Sequence, residues 1–244
     1  MQREFQKLSW LKVKELVPEK IKTVIFPVGT IEGHGSACIG TDNFIPEDIS
    51  LNIAEKLNAL VAPVLNYGIT KSLYRYNGGI TLSPENYQLV LRDILDSFDD
   101  IGFKNVIIMN GHGGNNTALK SVAVDFHREN LTNIAVIHWW ELCSEMTKQF
   151  FGHSGGHAGT DENAMVHALD PELVDEEGYD PELAYYIRPG ADVYPVPGSI
   201  LLYKEGEGYP NFNLEQARQY RQNVFETVGE FAEMILKRWE KFGL

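Results

Sequence analysis

Four short apolar runs constrain this chain more than any other feature. They are Thr23 to Val28 (TVIFPV), Ala62 to Leu65 (APVL), Lys104 to Met109 (KNVIIM) and Ile134 to His138 (IAVIH). Each is bounded like a strand and is too short for a helix. Segments with helical spacing separate them. Glu47 to Leu60 places Ile49, Ile53, Leu57 and Leu60 on one side. Ser83 is a good N-cap with Pro84 at the first helical position, and Leu89, Ile94 and Leu95 follow on one expected face. Asn116 to Arg128 reads as a helix, as does Glu162 to Leu169, which Pro171 stops. Leu214 to Phe242 is a long amphipathic pattern with Ala217, Tyr220, Val224, Val228, Phe231, Ile235 and Trp239 on or near one face. Strands alternating with helices predict an α/β fold, a largely parallel sheet covered on both faces. Residues from about Asp170 to Asn213, rich in Pro, Gly, Tyr and acids, read as irregular structure over that sheet. The whole chain, residues 1–244, reads as one domain.

In such sheets, ligands bind beyond the carboxyl ends of the strands. Two glycine-rich turns fall there. GTIEGHGSACIGTDN follows Val28 and carries Glu32, His34 and Asp42; NGHGGNN follows Met109 and holds His112 between glycines. Glycine costs backbone entropy and packs no side chain. These glycines therefore suggest close approach of the backbone to something small, a ligand or a metal, against the plainer reading of a tight turn. A third segment, GHSGGHAGTDEN, carries His153, His157, Asp161 and Glu162. Four of the seven histidines lie in these three segments. Imidazoles and carboxylates together suit Zn²⁺, Mn²⁺ or Fe²⁺. A catalytic ion leaves a position open for water and lowers the pKa of that water. Each residue also has a simpler reading. Glu32 fits a solvated loop acid, Asp42 an N-cap, His112 a packed turn histidine and Glu162 a first-turn helix acid. One shared site accounts for all the glycine-flanked histidines at once. His127, His138 and His167 fall within helix or strand patterns and read as structural or surface residues.

Composition excludes several classes. The formal net charge is −13, with no basic stretch, which argues against nucleic-acid or anionic-membrane partners. Two cysteines are too few for a disulfide framework and point to a reducing, cytoplasmic setting. There is no secretory-type N-terminus and no apolar run long enough to span a bilayer. Neither a nucleotide P-loop nor a G-x-S-x-G elbow is present. Cys38 reads as a small loop residue, because the acids around it disfavour a thiolate.

The three segments together resemble the creatininase (creatinine amidohydrolase) family. That family shows PxGSxEQHGPHLPLGTD, NGHGGN and HAGExETS; here the chain reads PVGTIEGHGSACIGTD from Pro27, NGHGGN from Asn110 and HAGTDENA from His157. GITLSPENY from Gly79 is similar to a further family stretch. The resemblance implies a three-layer α/β/α sandwich, one or two divalent ions per chain (Zn, Mn or Fe), and hydrolysis of a C–N bond in a small amide, formamide or cyclic amide. It also implies a homo-oligomer, often a hexamer. By position it makes Glu32, His34, Asp42, His112 and Glu162 metal ligands, with Asp42 bridging. His157 becomes the acid or base facing substrate, next to the carboxylate of Glu162. The chain departs from the pattern in places. The first loop is one residue shorter, with Ser36 and Ala37 in place of Pro and His. Gly33 replaces Gln, Thr160 replaces the first glutamate of HAGExET, and Asn163 and Ala164 replace Thr and Ser. Gly114 stands where creatininase itself has a glutamate ligand, so creatinine is not the expected substrate. The family's deformylases, its peptidase-like branch trimming a cofactor precursor peptide, and a catalytically altered relative that binds metal and a small molecule remain open at this stage.

Overall fold

A computed structural model describes residues 1–244. Its centre is a four-stranded parallel sheet: β1 (Thr23–Val28), β2 (Ala59–Val61), β3 (Asn105–Asn110) and β4 (Asn133–His138), ordered β2-β1-β3-β4. Eight helices accompany it: α1 (Trp10–Leu16), α2 (Thr41–Ile53), α3 (Pro84–Ile101), α4 (Asn116–Glu129), α5 (Trp139–Leu142), α6 (Ser144–Phe151), α7 (Thr160–Leu169) and α8 (Leu214–Phe242). Alternate residues of β1 and β3 point into two separate cores. Ile25, Ile107 and Met109 join Ile45 and Ile49 of α2, Met165 of α7 and Tyr220 and Val224 of α8. Val24, Phe26, Val106 and Ile108 pack on Tyr87, Leu91 and Leu95 of α3 and Leu119 and Phe126 of α4. Every residue of β1 is buried, so the strand contributes to both cores at about 1.5–3 kcal/mol per large side chain. The result is a three-layer α/β/α sandwich.

Several boundaries differ from the sequence reading. The helix expected over Glu47 to Leu60 runs from Thr41 to Ile53. Pro46 lies inside α2 as its sixth residue and, having no N–H, leaves the Asp42 carbonyl without the usual helical partner. The apolar spacing continues past Ile53 only because Leu57 and Leu60 face the core from a turn and from β2. The second strand occupies Ala59 to Val61 instead of Ala62 to Leu65; Leu65 keeps a single bridge to Val28. Ser83 caps α3 as expected, its Oγ accepting from the Asn86 amide at 3.2 Å. The buried face of α3 is Tyr87, Leu91, Leu95 and Phe98, while Leu89 is 64% exposed, about half a turn away from it. Within Asp170 to Asn213, Ala184–Tyr186 (β5) and Ile200–Leu202 (β6) form a short parallel pair, and Leu201 bridges to His157. No helix is long and apolar enough to cross a membrane.

The order β2-β1-β3-β4 reverses direction between β1 and β3. A crevice opens at such a switch point, beyond the carboxyl ends of the strands. Both glycine-rich turns start there.

Candidate active site

α2 brings Asp42 to the switch point. Its first turn lies across the ends of β1 and β3, against Gly29 and Gly111. A Cβ at Gly29 would fall 2.2 Å from the Asp42 carbonyl oxygen, and one at Gly111 would fall 2.1 Å from it. These glycines therefore serve close approach to the protein's own backbone, not to a ligand as the sequence alone suggested. Gly114 is equally restricted: a Cβ there would lie 2.1 Å from the Ile69 carbonyl oxygen and 2.4 Å from His112 Nε2. No glutamate fits at this position in this arrangement. The shortened first loop closes as a tight turn, with the Ala37 amide donating to the His34 carbonyl at 2.8 Å and Gly35 at φ +54°.

Three histidines share one pattern. His34 Nδ1 lies 3.1 Å from the Glu32 carbonyl oxygen, His112 Nε2 3.0 Å from that of Ile69, and His157 Nε2 2.8 Å from that of Gly33. A backbone carbonyl only accepts, so each of these nitrogens carries the ring proton. The other nitrogen of each ring then turns inward to carboxylates. His34 Nε2 is 2.9 Å from Asp42 Oδ1 and 3.7 Å from Glu162 Oε2. His112 Nδ1 is 2.8 Å from Asp42 Oδ2 and 3.3 Å from Glu32 Oε1. His157 Nδ1 is 3.5 Å from Glu32 Oε1, and its ring lies 4.2 Å from that of His34. Thr70, which nothing in the sequence singled out, donates to Glu32 Oε2. Glu162 Oε2 accepts from the Ala158 amide at 2.7 Å. Ala158 holds φ +53°, a left-handed conformation costing a non-glycine residue about 1–3 kcal/mol.

Charge in this cluster is finely poised. Burial disfavours the His34 cation, but Asp42, then Glu162 and Glu32, outweigh it and raise its pKa to about 10. Burial opposes the His112 cation too, yet Glu32 and Asp42 hold its proton well above the ordinary histidine range. Burial works to raise Glu32 and Asp42, and the histidines beside them bring both below the usual carboxylate range. Burial, reinforced by Asp42 and Asp161, pushes Glu162 well up. Burial and the nearby His34 lower His157 to about 4.

Neither Asp42 oxygen forms a hydrogen bond, and nor does His34 Nε2, although the two residues approach to 2.9 Å. Nitrogen and oxygen are adjacent without being aligned for an N–H···O bond. A cation held between these atoms would account for that geometry. Ligand atoms of Glu32, Asp42 and His112, of His34, Asp42 and Glu162, and of Glu32, His34 and His157 each come close enough to hold one ion. These residues therefore fit a divalent metal.

All six expected site residues meet here. His153 does not: it bonds the Ser154 carbonyl and stacks on Phe151, outside the cavity. His138 braces Asn110, His167 pairs with Glu176, and Cys38 lies outside the cavity lining. A cavity of about 440 Å³ opens over the cluster, in the size range of small-molecule sites.

The family model for creatinine amidohydrolase (creatininase) matches residues 6–199. This chain belongs to the creatininase family. Its members are amidohydrolases, hydrolases of C–N bonds, and the chain is an enzyme of that kind. It is 26% identical to the creatinine amidohydrolase of Pseudomonas putida over 211 residues, covering 78% of this chain and 80% of the relative. It is 24% identical to the mycofactocin precursor peptide peptidase of Mycobacterium ulcerans over 170 residues, 65% of this chain and 62% of that one. The solved structure named creatininase Mn superposes with a TM-score of 0.80 at 22% identity, covering 98% of this chain and 99% of that chain; it shares the fold.

Proposed function

We propose that this creatininase-family chain is a divalent-metal-dependent hydrolase of a small amide, formamide or cyclic amide. One observation carries the reading: three histidines are tied outward to backbone carbonyls and turned inward to three buried carboxylates under a small-molecule cavity. A hydrogen bond from the outer nitrogen to a carbonyl or carboxylate is the usual way a metal-ligating imidazole is oriented. Glu32, His34, Asp42, His112 and Glu162 would hold the metal, with Asp42 shared between two ligand groups. A bound divalent ion supplies a polarised water and a Lewis acid for the carbonyl oxygen. Zn, Mn and Fe suit the donor set, and the creatininase neighbour named for manganese supports Mn.

His157 moves the proton. Its Nε2–H is held by the Gly33 carbonyl, which leaves Nδ1, 3.5 Å from Glu32 Oε1, as the nitrogen able to take a proton. Nδ1 therefore acts first as a base, taking a proton from the attacking water, and then delivers that proton to the departing nitrogen. Of the acid and base roles that the resemblance implied, His157 takes both in turn, since the ring must receive its proton during the reaction. The family resemblance also supports a homo-oligomer, hexamers among its forms, and light scattering should give a multiple of 27.5 kDa.

The test has two parts. Protein purified without added metal should carry roughly one or two divalent ions per chain, and chelation should abolish turnover. Formamides, lactams and short peptides should then be screened for hydrolysis. On an ordinary amide, His157→Ala should lower the rate by about 10²–10⁴-fold with metal content intact. An activated anilide, whose leaving group needs little protonation, should lose much less. Metal-free, chelator-insensitive protein, or equal losses on both substrate types, would overturn the reading.

A further inference from the structure

Asp161 is the one buried acid of the cavity wall that the proposed centre leaves idle. It is 5% exposed and belongs to none of the three groups able to hold a metal. Its position is also the unspecified one in the family's HAGExETS pattern. Asp161 Oδ1 accepts from the Gly156 amide at 3.0 Å, while its neighbour Glu162 accepts from the Ala158 amide at 2.7 Å. Two consecutive acids at the start of α7 thus hold the backbone on either side of His157. The contact is close: a Cβ at Gly155 would lie 2.1 Å from the Asp161 carboxylate. This loop needs holding. Ala158, at φ +53°, is in a conformation that persists only where its surroundings over-determine it. A carboxylate accepting from backbone amides near a helix N-terminus makes one of the stronger hydrogen bonds available.

We infer that Asp161 is a positioning residue for His157: its bond to Gly156 fixes the loop so that Nε2 reaches Gly33 and Nδ1 faces Glu32. The inference rests on the proton-carrying role of His157 given above. If Asp161 merely caps α7, its loss lowers stability without disturbing the His157 ring.

Nuclear magnetic resonance of the metal-free full chain, with ¹⁵N-labelled histidine, separates the two. The His157 Nε2–H donated to Gly33 should give a slowly exchanging ring signal, identified by its absence in His157→Ala. Asp161→Ala should shift that signal and speed its exchange. Asp161→Asn, which keeps an oxygen acceptor, should retain it. Gly155→Ala presses on the same contact from the other side and should reproduce the Asp161→Ala result, which covers the case where Asp161→Ala does not fold. An unchanged ring signal in whichever of the Ala variants folds overturns the inference. On an amide that the enzyme turns over, Asp161→Ala should lower kcat by about ten- to a hundredfold. On the matching activated anilide the loss should be less than about threefold, with KM and metal content unchanged. Equal loss on both substrates also overturns it. If His157→Ala itself shows no leaving-group dependence, the proton-carrier reading fails, and the ring signal still decides the role of Asp161.

Discussion

Asp42 shows how much a single side chain can organise. Its two oxygens stand between His34 and His112, it belongs to two of the three metal-capable groups, and it is 1% exposed. Asp42→Asn should lose most of its metal in elemental analysis, more than Glu162→Gln, which touches only one group. A lost ion removes several kcal/mol of transition-state stabilisation, so the rate should fall on the order of a thousandfold. The glycines beside Asp42 make a second residue-scale prediction. Gly111→Ala places a Cβ 2.1 Å from the Asp42 carbonyl oxygen and 2.7 Å from the Pro46 ring. Overpacking of this kind costs about 1–3 kcal/mol, readable as a lower denaturant midpoint. Gly113→Ala, whose Cβ meets only Trp140 at 3.9 Å, should leave the midpoint close to wild type.

At the level of elements, the site depends on how three loops are tied to the sheet ends. Asn115 does most of the tying between the β1 turn and the loop that carries Thr70. Its Oδ1 accepts from the Ile69 amide at 3.0 Å and its Nδ2 donates to the Gly29 carbonyl at 3.1 Å. Ile69 in turn accepts from His112, and Thr70 donates to Glu32. Asn115→Ala would strand two buried backbone groups, at a cost of about 2–4 kcal/mol. It should also weaken metal binding, because the outer partner of His112 moves with it. Ser83→Ala is the useful comparison. It removes the α3 cap for about 1 kcal/mol, and metal affinity should not change. Titration of metal into both variants, alongside their unfolding curves, checks the contrast.

For the whole molecule, folding and metal binding are linked. Without an ion, the carboxylates raise the His34 pKa to about 10 and hold that of His112 above the ordinary histidine range, while burial pushes Glu162 up. An ion competes with protons at these groups, so binding near pH 7.5 should release protons, and affinity should rise with pH. Calorimetry in buffers of different ionisation heat measures the release; none at all would contradict the arrangement. A ligand at a hundred times its dissociation constant stabilises the folded state by about 2.7 kcal/mol. Chelation should then lower Tm by roughly 5–10 °C for a chain of this size.

The sequence alone determined the layer architecture, because continuous apolar runs between helical patterns can be buried only as strands covered on both faces. It determined the chemical membership of the site as well, since glycine-flanked histidines and acids stand out by residue type. The start of α2 was not legible, because an interior proline normally interrupts a helix and Pro46 lies past the first turn of α2. Nor was the buried face of α3, where the Tyr87 to Phe98 stripe won over Leu89 once the sheet lay beneath it. His153 shares the composition of its neighbours, and only the path of the loop takes it away from the cavity. Thr70, Asn115 and the Ile69 carbonyl carry no local signal, because polar groups acquire a role only when strands distant in sequence become adjacent. The pairing of β1 with β3 makes them adjacent. For His112 and His157 the carbonyl that holds the outer nitrogen comes from another loop, Ile69 and Gly33, so only tertiary packing decides which nitrogen faces inward; His34 finds its carbonyl two residues away, at Glu32.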